Sequence, residues 1–296
     1  MPIKKPLEIE MELETIGKTK AELNFASMFV LAVLAGVYIG FGGALATLVS
    51  HDLATYVGVG FSKIVAGAVF SIGLVLVILG GAELFTGNNL LIIPIFTKKI
   101  TFKQVARNWG LVYLGNFVGS VILVGLIFVS GYWKLNNNAV GVAALQTAVY
   151  KVNLSFIEAF VRGILANWLV CLAVWLSLAA RDLIGKVIAI AFPIAAFVAM
   201  GFEHSIANMY FIPLGLFLKG VDPVIAAAGF LDFSNLTWGH FLFNNLLPVT
   251  LGNIVGGAFF VGYLYWFAYR RKCERCDMEV DQATGQVTSS CVDEEP

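Results

Sequence analysis

Gly201-Phe202-Glu203-His204-Ser205-Ile206-Ala207-Asn208 sets four hydrogen-bonding or ionisable side chains between two apolar runs, 187–200 and 209–218. Together the runs are long enough to cross a bilayer, which needs about 20 residues, so the octet falls near the middle of a span. Lipid tolerates a glycine break with polar groups only where protein or a water-filled cavity surrounds it. An earlier octet, Gly81-Ala82-Glu83-Leu84-Phe85-Thr86-Gly87-Asn88, shares the pattern Gly-x-Glu-x-x-x-small-Asn and also interrupts a long apolar segment. Paired broken helices in two halves of a chain point to a transporter.

Composition agrees: of 296 residues, 59% are hydrophobic and 13% charged, more apolar material than one soluble core can use. Apolar segments run over 25–50, 64–96, 109–132, 154–180, 187–218 and 246–269, which predicts an all-α integral membrane protein of six spans. Fourteen of the nineteen Lys and Arg lie in 1–24, the 2–3 loop, the 4–5 loop and the segment after 269; only Lys63, Lys134, Lys151 and Lys219 fall on the other side. Basic segments stay inside, so both termini are expected in the cytoplasm, in a multi-pass cell (inner) membrane protein. Arg162 is the one basic residue left within a span and needs a partner or an interface. Nucleic-acid binding has no support, and no cleavable signal peptide is expected ahead of the first span.

The repeat is wider than the octets. Phe29-Val30-x-x-Val33-Leu34-Ala35 resembles Phe160-Val161-x-x-Ile164-Leu165-Ala166, and Leu114-Gly115-Asn116-Phe117-Val118-Gly119 resembles Leu251-Gly252-Asn253-Ile254-Val255-Gly256. With the octets, three pairs recur in order at offsets of 131, 120 and 137. Three spans per half put the second half into the membrane from the opposite face, giving an inverted 3+3 repeat with the second and fifth helices broken. The expected organisation is 1–24 as a cytoplasmic segment, 25–270 as the transport domain with halves 25–132 and 154–270, and 271–296 as a disordered cytoplasmic tail. Residues 6–22 read as an interfacial helix or a solvated tail. Cys273 and Cys276 make at most half a zinc site, and no structural disulfide is expected in a cytoplasmic tail.

His204 is the one histidine at mid-membrane depth; His51 and His240 fall in outer loops. Imidazole in a dry constriction attracts an anion or exchanges a proton with it, against the plainer reading of a neutral ring bracing its loop. Thr86 and Ser205 stand where they would cap the second half-helices, whose positive ends favour a small anion. Carboxylates there would repel one, so Glu83 and Glu203 read as ties to their own loops, to Arg162 or to a backbone donor. Asn167 and Asn253 either hold the loops or line the path. Lys151 either draws anions to an outer mouth or snorkels. Phe70, Leu74, Leu84, Phe85, Phe197 and Phe202 read as core or as hydrophobic constrictions. A haem between spans needs two axial ligands and a metalloenzyme needs a cluster of His, Asp or Glu, so one intramembrane His argues against enzyme, cofactor and metal alike.

These motifs, with Ile-Leu-Ala-Asn-Trp-Leu-Val-Cys-Leu-Ala from Ile164 and Leu-Pro-Val-Thr-Leu-Gly-Asn-Ile from Leu247, resemble the formate/nitrite transporter family over about residues 20–270. The resemblance implies an aquaporin-like bundle, a homopentamer with one pore per protomer, and transport of formate with protons, nitrite and hydrosulfide being the alternatives. It implies His204 as the central histidine with Thr86 against it, Phe70, Leu74, Leu84 and Phe197 as constriction residues, and Lys151, Asn167, Glu203 and Asn253 as polar positions of the pathway. The Phe of Gly-Phe-Glu-His and the Met-Tyr-Phe-Ile-Pro run resemble formate carriers most. It also implies gating by the N-terminal helix in some members, and gives no role to Arg162 or the Cys-bearing tail.

The basic asymmetry makes a direct prediction. A cysteine introduced at Asn137 labels with an impermeant thiol reagent from outside intact cells, while Cys273 and Cys276 label only after permeabilisation; labelling of the tail from outside reverses the assigned sidedness.

Overall fold

A computed structural model describes residues 3–269 and two short paired strands of the tail, Met278–Val280 and Val287–Ser289. The remainder of the tail, including Cys273, Cys276 and Cys291, lies outside the described residues. The rest is helical. After a helix at Pro6–Glu22, the first span is Phe25–Ser50 and the third Phe102–Val129; the fourth is Phe156–Ala179 and the sixth His240–Tyr269. The second span is Val59–Leu79, a break, then Gly87–Phe96. The fifth is Leu183–Ala199, a break, then Ser205–Leu218.

Two loops carry more structure than their polarity suggests. The segment after the third span contains the helix Ala139–Val152, entered through three successive left-handed residues, Asn136, Asn137 and Asn138, a conformation asparagine tolerates. The long loop after the fifth span holds Asp222–Ala228, bent by 100° from Ser205–Leu218, and the sixth span starts at His240 rather than at 246. Asn244 and Asn245 interrupt the apolar run just after that start, which is why apolar counting begins the span late.

Helix starts are locally encoded. Asn24 Oδ1 accepts from Ser27 N at 2.9 Å ahead of the first span, and Ser155 and Glu158 form a reciprocal cap ahead of the fourth. These caps are themselves repeat partners, since 24 + 131 = 155. The same register governs packing. Gly115 and Gly119 lie against the backbone at Phe29 and Val33, and Gly252 and Gly256 lie against the backbone at Phe160 and Ile164. Adding 131 and 137 carries the first set onto the second. A Cβ at any of the four would overlap a neighbour, so the spans cross at backbone contact, as small residues allow in lipid.

Pro6–Glu22 lies neither free in solvent nor flat on a lipid surface: Ile9, Leu13, Gly17 and Ala21, spaced by four, are buried against the bundle. Ion pairs Arg181–Glu8 at 3.9 Å and Lys99–Glu14 at 3.7 Å fasten it to the 4–5 and 2–3 connections.

Gly125 shares a helix with Gly119 but has open space around it. Gly119→Ala is therefore expected to lower the unfolding temperature in detergent, at a cost of roughly 1–3 kcal/mol, while Gly125→Ala stabilises slightly through helix propensity. Equal effects at the two positions would contradict backbone-contact packing.

Candidate functional site

Each break begins with a glycine at positive φ, Gly81 at 72° and Gly201 at 71°, a region closed to most L-residues. The chain then runs extended, and a buried backbone must find partners there. Glu83 N donates to Leu31 O at 3.2 Å and Glu203 N to Arg162 O at 3.3 Å. One asparagine clamps what remains. Asn116 donates to Ala32 O and Glu83 O at 2.8 and 2.9 Å and accepts from Phe85 N at 2.9 Å. Asn253 donates to Gly163 O and Glu203 O at 2.8 and 3.0 Å and accepts from Ser205 N at 2.9 Å.

The glutamates are held as a second matched pair. Lys20 Nζ meets Glu83 Oε1 at 2.6 Å, and Asn88 Nδ2 donates to Glu83 Oε2 at 2.7 Å and Asn108 Oδ1 at 2.9 Å. Across the molecule Lys151 Nζ meets Glu203 Oε1 at 2.8 Å, and Asn208 Nδ2 donates to Glu203 Oε2 and Asn245 Oδ1, both at 2.7 Å. Glu203 is thus tied to Lys151 and not to the Arg162 side chain, which lies half-exposed and donates to Tyr150 Oη. Sequence reading misses Lys20, Asn88, Asn108 and Asn245, although the offsets point to the first: 20 + 131 = 151. The N-terminal helix and Ala139–Val152 are therefore counterparts, and each half contains four elements rather than three.

His204, rather than Ser205, is the cap of Ser205–Leu218: its Nδ1 accepts from Ala207 N at 3.1 Å. That leaves the ring proton of the neutral form on Nε2, 2.9 Å from Thr86 Oγ1. Thr86 makes no cap bond of its own, and Ser205 Oγ is buried without a partner among the described residues. The amides of Ser205 and Ala207 are satisfied by Asn253 and His204, so these groups are not open to an anion, contrary to the expectation of a bare positive helix end.

Two cavities approach this point from opposite sides. One, of about 400 Å³, is walled by Lys151, Glu203, Phe202, Phe70, Phe197 and His204, which brings six of the expected residues together. Phe70 and Phe197 meet edge to face at 5.9 Å, and Phe197 lies 6.0 Å from the His204 ring. The other, of about 300 Å³, lies beside the N-terminal helix and is walled by Lys20, Val77, Ala82, Asn88 and Leu91 among others. Leu74 and Leu84 are 2% exposed and line neither cavity. Thr86 is fully buried and reaches the first cavity only through His204. Asn167 and Asn253 line neither; Asn167 Nδ2 donates to Thr86 O at 3.2 Å, Asn89 Oδ1 at 2.8 Å and Asn253 O at 2.7 Å, tying the first break to the sixth span. Each opening is thus closed short of the other by packed side chains around a single polar contact, His204–Thr86.

Removing a clamp strands the Glu83 or Glu203 carbonyl and the Phe85 or Ser205 amide of the break, each worth about 1–3 kcal/mol. Asn253→Ala and Asn116→Ala should lower the unfolding temperature by similar, large amounts, since their bonds match one for one. Wild-type stability in either variant would show that the breaks hold themselves.

The Formate/nitrite transporter family profile matches residues 8–267. Formate channel FocA of Escherichia coli is 41% identical over 271 residues, covering 90% of this chain and 95% of its own. A probable formate transporter of Methanothermobacter thermautotrophicus is 40% identical, over 91% and 98% of the two chains. Among solved structures, a pentameric formate channel with formate bound superposes with a TM-score of 0.75 at 38% identity, over 83% of this chain and 97% of that one. An FNT family ion channel superposes with a TM-score of 0.76 at 32% identity, over 88% and 98%. With its broken second and fifth spans and its inverted halves, the chain belongs to the formate/nitrite transporter family.

Proposed function

We propose that this protein conducts formate across the cell (inner) membrane as a homopentamer, with one pathway through each protomer and both termini in the cytoplasm. The reading is carried by two cavities that approach one closed polar contact from opposite sides and stop short of each other, in a chain 41% identical to a formate channel. The basic N-terminal and 2–3 segments support the orientation, which makes the Lys151 cavity the outer vestibule and the Lys20 cavity the inner one.

Formate is small enough for either vestibule, and its charge is the obstacle at the phenylalanine contact, where an anion loses its water. His204 Nε2–H is the donor placed to replace that water. An arriving carboxylate competes with Thr86 Oγ1 for this proton, and the freed Thr86 hydroxyl turns to donate as well. The ring keeps its proton throughout, since losing it from the neutral form would leave an imidazolate far more basic than a carboxylate; a formate that goes on as its neutral acid takes its proton from the hydrated protons of the vestibule. The Nδ1 cap on Ala207 N holds the ring in place throughout and keeps the second nitrogen from picking up a proton without breaking the helix start. Lys151, Glu203 and Phe202 line the approach, Asn167 and Asn253 fix the backbone that carries Thr86 and His204, and Leu74 and Leu84 back the constriction from within the core.

His204→Asn tests this, because an Asn side-chain oxygen still caps the helix while the imidazole Nε2–H is gone. In proteoliposomes loaded with formate, nitrite or hydrosulfide in parallel, the wild type is expected to pass formate fastest. The variant is expected either to lose most of the flux or to pass anions less selectively. Unchanged flux and selectivity in an intact pentamer would make His204 a structural residue.

A further inference from the structure

Charge accounting around the two vestibules separates lysines that are committed from lysines that are not. On the outer wall, Lys151 is neutralised by Glu203 at 2.8 Å; His51 sits 3.6 Å from Asp52, whose side chain lies outside the wall. On the inner wall, Lys20 is neutralised by Glu83 at 2.6 Å and Glu12 by Lys4 at 2.5 Å. One cation is left on each: Lys63 outside and Lys186 inside. Among the described residues neither has an ion-pair or side-chain hydrogen-bond partner.

Their placement is matched as well. Lys63 is the fifth residue of Val59–Phe70 and Lys186 the fourth of Leu183–Ala199, the outer-starting and inner-starting halves of the two broken spans. A cation near a helix start opposes the macrodipole, so these positions gain nothing for the fold from the charge. An anion in either vestibule meets the dipole and the lysine with the same sign.

We propose that Lys63 and Lys186 are the capture residues of the two mouths, each raising the local concentration of small monovalent anions at its own vestibule, while Lys20 and Lys151 are structural counter-ions of the glutamates. For formate the inference rests on the conduction reading above; the potential at each mouth can be read without it. In a background with Cys273, Cys276 and Cys291 replaced by Ser, Thr147→Cys reports on the outer vestibule and Leu178→Cys, half-exposed on the same wall as Lys186, on the inner. The measured quantity is the modification rate with an anionic methanethiosulfonate divided by that with a neutral one. Lys63→Gln is expected to lower this ratio at Thr147→Cys by roughly two- to threefold at low ionic strength, the order of a single nearby charge acting through water, and to leave Leu178→Cys unchanged. Lys186→Gln does the reverse. Lys63→Arg retains the wild-type ratio, and about 1 M salt removes the difference. In planar bilayers at low formate, Lys63→Gln reduces current only when voltage drives the anion in from the outer mouth. Equal ratios in wild type and both Gln variants overturn the proposal, as does a loss that the neutral reagent shares, which reports a collapsed cavity. A wild type that carries no formate defeats the conduction reading, while the thiol ratios still decide the lysines.

Discussion

A backbone that leaves helical geometry inside a membrane has no water to turn to, and this fold depends on how that debt is met. Asn116 and Asn253 each supply one donor and one acceptor to a broken segment and give the second donor to a carbonyl of the first or fourth span. The clamps require the third and sixth spans to approach the first and fourth at backbone distance, which the glycines at 115, 119, 252 and 256 permit. Packing and polar satisfaction are thus one constraint: a bulkier crossing would carry each asparagine out of reach of its break.

On this scaffold the halves are alike in framework and different at the centre. The clamps, the Lys–Glu–Asn–Asn clusters and the positive-φ glycines recur, but the offset of 120 sets His204 against Leu84 and Thr86 against Ile206. The polar contact between the breaks is therefore formed once, by one residue from each half. A second histidine in place of Leu84 would bring another titratable ring into the most buried part of the bundle, where an unpaired charge is most costly.

Much of this was legible in the residues. A glycine followed by Glu within an apolar run marks a break whatever surrounds it, and three motif pairs in register disclose the duplication. What pattern alone leaves open is which polar group meets which. Ser205 is a better cap by residue type than His204, yet the extended backbone after Gly201 puts the imidazole at that position. Lys151 reads as a snorkelling side chain until Ala139–Val152 brings it 2.8 Å from Glu203. Lys20 was hidden by its setting, because a segment mixing Leu, Ile and Met with Glu and Lys gives no sign of what it docks on. Arg162 illustrates the converse: its backbone carbonyl, which every residue has, serves the Glu203 loop, while its charged group donates to Tyr150 and forms no ion pair among the described residues.

The N-terminal helix has its fastenings far along the chain. Lys20 waits for Glu83, 63 residues on; Lys99 pairs back to Glu14; Arg181 pairs back to Glu8, and Lys4 N donates to Ala179 O at 3.1 Å. As the ribosome delivers the chain from its N-terminus, this helix emerges before any of its partners exist. Its ion pair to Arg181 has to wait until the fourth span has been made, and its contacts with the end of the sixth span come later still. The segment made first is consequently seated late, and the cavity beside it acquires its whole wall only when the fifth span, which carries Lys186, is in place.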